Sequence, residues 1–471
     1  MNLSDVYFDK KLIFISLIYD FSHKFSRFLK LSSRNYMKRY FPFLLIVFIL
    51  ALTFVFPSVE FTNTGKSHFD TGDIAWMLMS TALVLIMTPG LAFFYGGMVN
   101  KKNVISTMLQ SVVCMVIITV MWGIFGFSLA FGDSIGGVIG NPGTYFMMKG
   151  MLGDSTWINA PTIPLLLFAM YQLKFAIITP ALITGAFAER IRFNSYIIFL
   201  VLFSIFIFSP LAHATWHPDG LLAKLGVLDF AGGTVVHMSA GWAALASALF
   251  LKKRNEPSHS PARITYVLIG TGLLWFGWFG FNAGSAMGAN HLAVIALATS
   301  TTASAAGGIT WIFFDMLRGR KPSAMGTCIG AVVGLVAITP AAGYVSIPHS
   351  LAIGIISSVI SNLVVEWRTG TSIDDTLDVF PCHGVGGMVG MLLTGVFANT
   401  NVNPAITNGN GLFFGESHLF LIQLFALVVT SIFAFAGSWI LLHITDWISP
   451  LRVSSEDEVI GLDISQHGER L

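Results

Sequence analysis

The sequence is short of charge. Of its 471 residues only 11% are Asp, Glu, Lys or Arg, where a soluble domain averages about 25%, so most of the chain cannot be facing water. Cysteine is scarce as well: Cys114, Cys328 and Cys382 form no CxxC pair, two of them lie in apolar runs, and they read as small buried hydrophobes. No nucleophile or metal constellation is evident, so a membrane enzyme is the weakest reading, and no cofactor, metal or nucleic-acid partner is expected. The net charge of +2 is uninformative; in a membrane protein the position of the charges matters, not their sum.

What the chain has in quantity is apolar surface and glycine. Hydrophobic residues make up 54% of it and glycine supplies 46 residues, with a mean hydropathy of +0.74. That much glycine exceeds the needs of loops and suits helices that approach closely in lipid. A spanning helix takes roughly 20 mostly apolar residues. Eleven such runs follow residue 70, near 73–97, 104–131, 162–188, 195–213, 231–251, 263–286, 291–316, 326–342, 349–367, 383–399 and 418–447. With the first entering from outside, the inner loops and tail hold fourteen basic residues, from Lys101 and Lys102 to Arg452 and Arg470, against Lys66, Lys149 and Lys224 outside. This positive-inside bias puts the start of the membrane core outside and the C-terminus in the cytoplasm, in a cell (inner) membrane.

Residues 1–70 read as an N-terminal extension. Eight Lys or Arg among residues 1–40 precede an apolar run from Phe41 to Phe56, short for a span and suited to a signal-peptide core. Met37-Lys38-Arg39-Tyr40 resembles a signal peptide's own beginning, so translation is expected to start at Met37. Residues 71–449 then form the membrane domain and 450–471 a tail.

Ionisable residues inside helices are costly in lipid and usually face a cavity or a partner. Here they are Lys174, His213, Asp229, His237, Asp378, His383 and His443. At helical spacing His237 is flanked by Gly233, Ala240, Gly241 and Ala244, and His383 by Gly386, Gly387 and Gly390. Both imidazoles rise from faces of very small residues, where another helix or a narrow lumen can come close, and the pair is expected to meet. The competing use is an interhelical hydrogen bond that serves packing alone. Metal ligation is weaker, because Cys382 points elsewhere than its neighbour His383 on a helix. Asp229 reads as an N-cap, Asp378 stands similarly before the tenth helix, and His213 and His443 lie near helix ends where water is at hand. Phe281 with Ser285, and Tyr171 with Phe175, are i,i+4 pairs; Trp216 fits an interfacial belt.

Six segments in order carry a family resemblance: PGLAFFYGG (89–97), FAIITPALITGAFAERIRF (175–193), DFAGGTVVHMSAGWAAL (229–245), GWFGFNAGSA (277–286), DVFPCHGVGGMVG (378–390) and GLDISQHGE (461–469). From about residue 71 to its end the chain resembles the ammonium transporter (Amt) family. The resemblance implies an all-α polytopic homotrimer with one pore per subunit. Each subunit has eleven transmembrane helices, two inverted five-helix halves plus a long C-terminal helix. It implies ammonium recruitment at Trp216, Phe175 and Ser285, a gate of Phe175 and Phe281, and a lumen lined by His237 and His383. Asp229 then serves structurally or electrostatically, and the tail meets a PII-type nitrogen regulatory protein. Aromatic faces and a hydroxyl suit a small cation with N–H donors. A dry lumen rejects the bare cation, so NH4+ gives up its proton and NH3 crosses, while histidine can pass the proton separately. Tyr171 stands where the family has Phe, which predicts a hydroxyl at the vestibule. Lys174, about 100° round the helix from Phe175, is expected to point away from the lumen. An ammonium sensor acting through its tail is the alternative from another class; a gas channel is disfavoured by Trp216 and Ser285.

Overall fold

A computed structural model of the protein describes residues 34–55, with side chains from residue 43, and residues 68–471. The chain divides into two compact units, Met1–Val59 and Glu60–Leu471. In the first, one helix α1 (Arg34–Val55) runs unbroken through Met37. Its apolar part, Phe43–Val55, is shorter than a span. The expected start at Met37 concerns residues 1–36, which lie largely outside the described residues.

The second unit is a helical bundle, and each of the eleven apolar runs is a helix in it. Ten are long and apolar enough to cross a membrane: α2 (Thr71–Met98), α3 (Lys101–Phe131), α4 (Leu165–Phe187), α5 (Phe193–Lys224), α6 (Gly233–Leu251), α7 (Ile264–Ala286), α8 (His291–Leu317), α10 (Ile347–Thr369), α11 (Phe380–Phe397) and α12 (His418–Ile448). The run at 326–342 differs, because its helix α9 (Ala324–Ile338) stops after 15 residues. Pro340 explains the stop, since a proline disfavours helix at the residue before it. The apolar chain beyond stays buried at Ala341, Ala342 and Val345. A two-stranded antiparallel pair, Ser134–Ile135 with Ile139–Gly140, departs from the all-helical expectation.

Side-chain caps start several of these helices. Asp70 accepts the N–H of Asp73 at 2.8 Å before α2, Asn290 that of Ala293 at 3.1 Å before α8, and Ser323 that of Gly326 at 2.9 Å before α9. The N-terminus of α3 is capped from far along the chain. Asp463 accepts the N–H groups of Ile105 and Ser106 at 3.1 and 2.8 Å, and Leu462 N–H donates to Asn103 at 2.8 Å. The tail is thereby held on the bundle.

Beside it lies a buried ionic network. Arg254 meets Glu189 at 2.6 Å and Asp374 at 2.8 Å, and Glu189 also accepts the N–H of Asn100. His259 turns Nε2 to Glu189 at 3.1 Å and Nδ1 to the Ser260 carbonyl at 3.1 Å. Two oxygen acceptors on one ring suit the doubly protonated imidazolium. The hydrogen bond to Glu189 raises the His259 pKa against the opposing effect of burial. A raised pKa contributes stability that is complete below the ordinary value and lost as pH climbs through the raised one. The melting temperature of the purified protein is therefore expected to fall by a few degrees between about pH 6 and 8. His259→Gln should flatten that slope in a thermal-melt series; an unchanged slope would assign it to another group.

Candidate functional site

Five helices of the bundle carry π-type turns, and three of these hold residues singled out by sequence. His237 sits in Gly233–Met238, Phe281 in Phe279–Ala283 and His383 in Phe380–Val385. Such turns inside helices concentrate at functional sites, because the extra residue redirects side chains and loosens the carbonyl ladder.

The structure brings these residues into a continuous file of rings. Trp216 meets Phe175 edge-on with centroids 5.7 Å apart, and Phe175 lies against Phe281 at 4.4 Å. Phe281 then meets His237 at 5.9 Å, and His237 meets His383 at 5.4 Å. On one side of the phenylalanine pair a wide vestibule of about 520 Å³, open to solvent, is lined by Trp216, Phe175, Ser285 and Asp229 among others. On the other side a narrow void of about 10 Å³ is walled by Met87, Leu91, Ile178, Leu182, Val236 and Val332, with the two histidines as its polar groups. Trp278 also lines it, stacked on His237 at 5.3 Å, and turns its N–H away to Thr339 at 2.9 Å. The sequence reading missed Trp278, although it stands in the aromatic run that includes Phe281.

The two imidazoles are buried and their Nδ1 atoms are 3.3 Å apart. A bond between two Nδ1 atoms makes one ring the donor and the other the acceptor, so the rings hold opposite tautomers. Protonating the outer nitrogen of one ring and shifting the shared proton frees a proton at the outer nitrogen of the other. A pair so bonded has the chemistry to relay a proton, and His237 Nε2 has no partner among the described residues. Glycine makes the approach possible: a Cβ on Gly241, one turn after His237, would lie 2.2 Å from the backbone of Gly384.

The sequence profile of the Ammonium Transporter Family matches residues 75–470. This chain belongs to the ammonium transporter family. It is 44% identical to the ammonium transporter of Aquifex aeolicus over 90% of this chain and 98% of that relative. It is 42% identical to ammonium transporter Amt1 of Archaeoglobus fulgidus over 84% and 98%. Among solved structures, Saccharomyces cerevisiae Mep2 superposes with a TM-score of 0.78 at 34% identity, covering 84% of this chain and 93% of that one. A structure titled Sensor Amt Protein does so with 0.76 at 28% identity, covering 84% and 98%. The Aquifex aeolicus and Archaeoglobus fulgidus relatives are named as transporters, and this ammonium transporter family member is a multi-pass membrane protein with many apolar helices.

Other residues of the transporter fall where sequence did not place them. The Tyr171 hydroxyl is wholly buried; it donates to the carbonyls of Gly280 and Phe281, 2.9 Å from each, and lies 3.3 Å from Ser285. It braces the broken turn of α7 rather than opening on the vestibule. Ser285 spends its proton on the Phe281 carbonyl at 2.9 Å, which leaves its lone pairs to accept. His213 is fully buried, not hydrated, with Nδ1 at 3.0 Å from the Ala130 carbonyl and Nε2 at 2.8 Å from Ser134. The cap of α11 comes from Asp375, which accepts the Phe380 N–H at 2.7 Å, while Asp378 pairs with Arg368 at 2.7 Å. His443 stays exposed against Phe250, with ring centroids 4.9 Å apart. Lys174 is half-buried and lines neither void. Cys114, Cys328 and Cys382 are free and buried.

Asp229 stands three residues before the N-cap position, Gly232, yet does the capping. It accepts N–H bonds from Gly232 at 2.7 Å, Gly233 at 2.5 Å and Thr234 at 2.8 Å, and the Thr234 hydroxyl as well. Asp229→Ala leaves these buried donors without a partner, at about 1–3 kcal/mol each before water enters. The expected outcome is a drop of ten degrees or more in melting temperature, with Asp229→Asn intermediate.

Proposed function

We propose that this ammonium transporter recruits NH4+ in the vestibule at Trp216, Phe175 and Ser285. It strips the proton at the Phe175–Phe281 gate and passes NH3 through the apolar void. The observation that carries the reading is the hydrogen-bonded imidazole pair within an otherwise apolar cavity. NH4+ is stabilised by aromatic faces and a hydroxyl acceptor, but a bare cation is strongly disfavoured between Leu91, Ile178 and Val332. Neutral NH3 enters instead, and the proton crosses along His237 and His383. Selectivity against K+ then rests on chemistry, because K+ has no proton to lose. Asp229 holds the start of α6 and adds negative charge near the recruitment site.

The same reading takes residues 71–449 as the membrane domain, with α9 as an eleventh crossing despite its length, and the whole as two inverted five-helix halves plus α12. It takes the protein as a homotrimer in the cell (inner) membrane, core N-terminus outside, with tail 450–471 in the cytoplasm facing a PII-type regulatory protein. Residues 1–70 precede the domain and are read as starting from Met37. Fourteen basic residues on the tail side support this orientation. A second reading, ammonium sensing through the tail, is favoured by the likeness to the Sensor Amt Protein and by the tail's capping of α3.

The test is an ammonium pulse on protein reconstituted in a planar bilayer. An inward current dependent on ammonium is expected; its absence would remove the electrogenic mechanism and leave neutral NH3 conduction. A sensor would show little flux but a tail whose protease sensitivity changes with ammonium.

A further inference from the structure

The wall of the vestibule contains an amide that no protein group satisfies. Gln172 is 5% exposed, and it lines the vestibule together with Phe175, Trp216 and Ser285. Its Oε1 is buried without a hydrogen-bond partner among the described residues. Helical spacing puts it in place: Phe168, Gln172 and Phe175 are i, i+4 and i+7 on α4, and all three line the same space. The Thr215 hydroxyl, next to Trp216 in a residue that lines the vestibule, is a second buried atom with no partner among the described residues.

A buried amide oxygen with no donor is destabilising, and a donor that arrives from outside would satisfy it. Ammonium is such a donor, with four N–H groups. The aromatic faces satisfy charge but accept N–H bonds poorly. The Trp216 N–H is already given to the Asp229 carbonyl at 3.1 Å, and Ser285 offers only its lone pairs. One hydroxyl therefore leaves most of the cation's donors unpaired as it sheds water.

We propose that Gln172 is a further positioning residue for ammonium, its side-chain oxygen accepting one N–H of the cation opposite Ser285, with Thr215 accepting a second. Phe175, one turn along α4, then receives a cation that is already oriented. The inference rests on the recruitment reading above and goes beyond it, because an acceptor at this position gives the site geometry as well as charge. K+ needs oxygen ligands in greater number and gains less from two directed acceptors.

The experiment measures ammonium-dependent current against concentration in reconstituted wild type, Gln172→Leu, Gln172→Glu, Ser285→Ala and Gln172→Leu with Ser285→Ala. Thermal melting of each purified protein serves as a folding control. Gln172→Leu keeps the size but removes the acceptor, and the half-saturating ammonium concentration is expected to rise about tenfold or more, as for a lost hydrogen bond to a charged group. The current at saturation should stay within about twofold, because the gate and imidazoles are untouched. Gln172→Glu retains the acceptor and should bind ammonium at least as well as wild type. An unchanged half-saturation in a folded Gln172→Leu protein overturns the inference, as does loss of maximal current alone. If Ser285→Ala weakens binding and Gln172→Leu does not, this inference falls while the recruitment site stands; if neither does, the recruitment site itself falls.

Discussion

His237→Ala combined with His383→Ala is expected to lower the ammonium-dependent current by more than tenfold and to admit K+. Two effects act together. First, the Nδ1–Nδ1 bond of 3.3 Å is lost, and with it the route by which, on the proposed mechanism, a proton crosses a section too apolar for a free ion. Second, two rings are removed from the wall of a narrow void, and the space they leave fills with water. A wet lumen no longer charges the full desolvation cost, which for an ion in a dry interior runs to tens of kcal/mol. A hydrated cation can then pass whether or not it has a proton to give. The measurement is the reversal potential in bilayers with ammonium on one side and K+ on the other. Wild type should follow the ammonium gradient alone; the double variant should shift towards the K+ gradient. Single variants break the same bond and should lose the proton-linked current with less leak. A double variant with wild-type current and selectivity would reduce the pair to packing.

Gly241→Ala is the second large effect. The added Cβ would lie 2.2 Å from both Cα and N of Gly384, and real contacts do not approach so closely. Both obstructing atoms are backbone, so no side chain can rotate away and the two helices must part. Overpacking of an interior costs about 1–3 kcal/mol when neighbours can adjust; here they cannot, and the upper end or beyond is expected. The displacement falls beside His383, so the imidazole pair separates with the helices. The variant should melt well below wild type and lose most ammonium transport. Gly272→Ala is the control, because nothing lies within 4 Å of its would-be Cβ. It should be neutral or slightly stabilising through helix propensity. A Gly241→Ala protein with wild-type melting and transport would show that α6 and α11 have slack that the glycine contact denies.

Much of this was legible in the residues because bilayer physics writes itself into composition. Eleven apolar runs became helices, most with bounds shifted by a few residues, although α5 runs on to Lys224 where the apolar run stops at His213. The small-residue faces around His237 and His383 forecast close approach, and the glycines do pack backbone on backbone. The polar details were not legible. A capping role is easy to infer from an aspartate before a helix, yet Asp375, not Asp378, caps α11, since three aspartates stand within five residues there. Tyr171 is expected to put a hydroxyl at the vestibule because it stands where the resembled family has Phe, but a place in a motif fixes no hydrogen-bond partner. Which carbonyl a hydroxyl reaches depends on a π-type turn in another helix.

By itself the sequence determined that this protein is a bundle of apolar helices, and that two of its few membrane histidines sit on glycine-rich faces. Period and composition are local properties that water and lipid read residue by residue. Only the tertiary structure decided that the two rings share a bond, that Phe175 and Phe281 lie together next to them, and that Gln172 lines the vestibule with an oxygen unpartnered among the described residues. Those facts concern residues more than a hundred positions apart, brought together by turns whose five-residue hydrogen bonding breaks the 3.6-residue period that a sequence reading relies on.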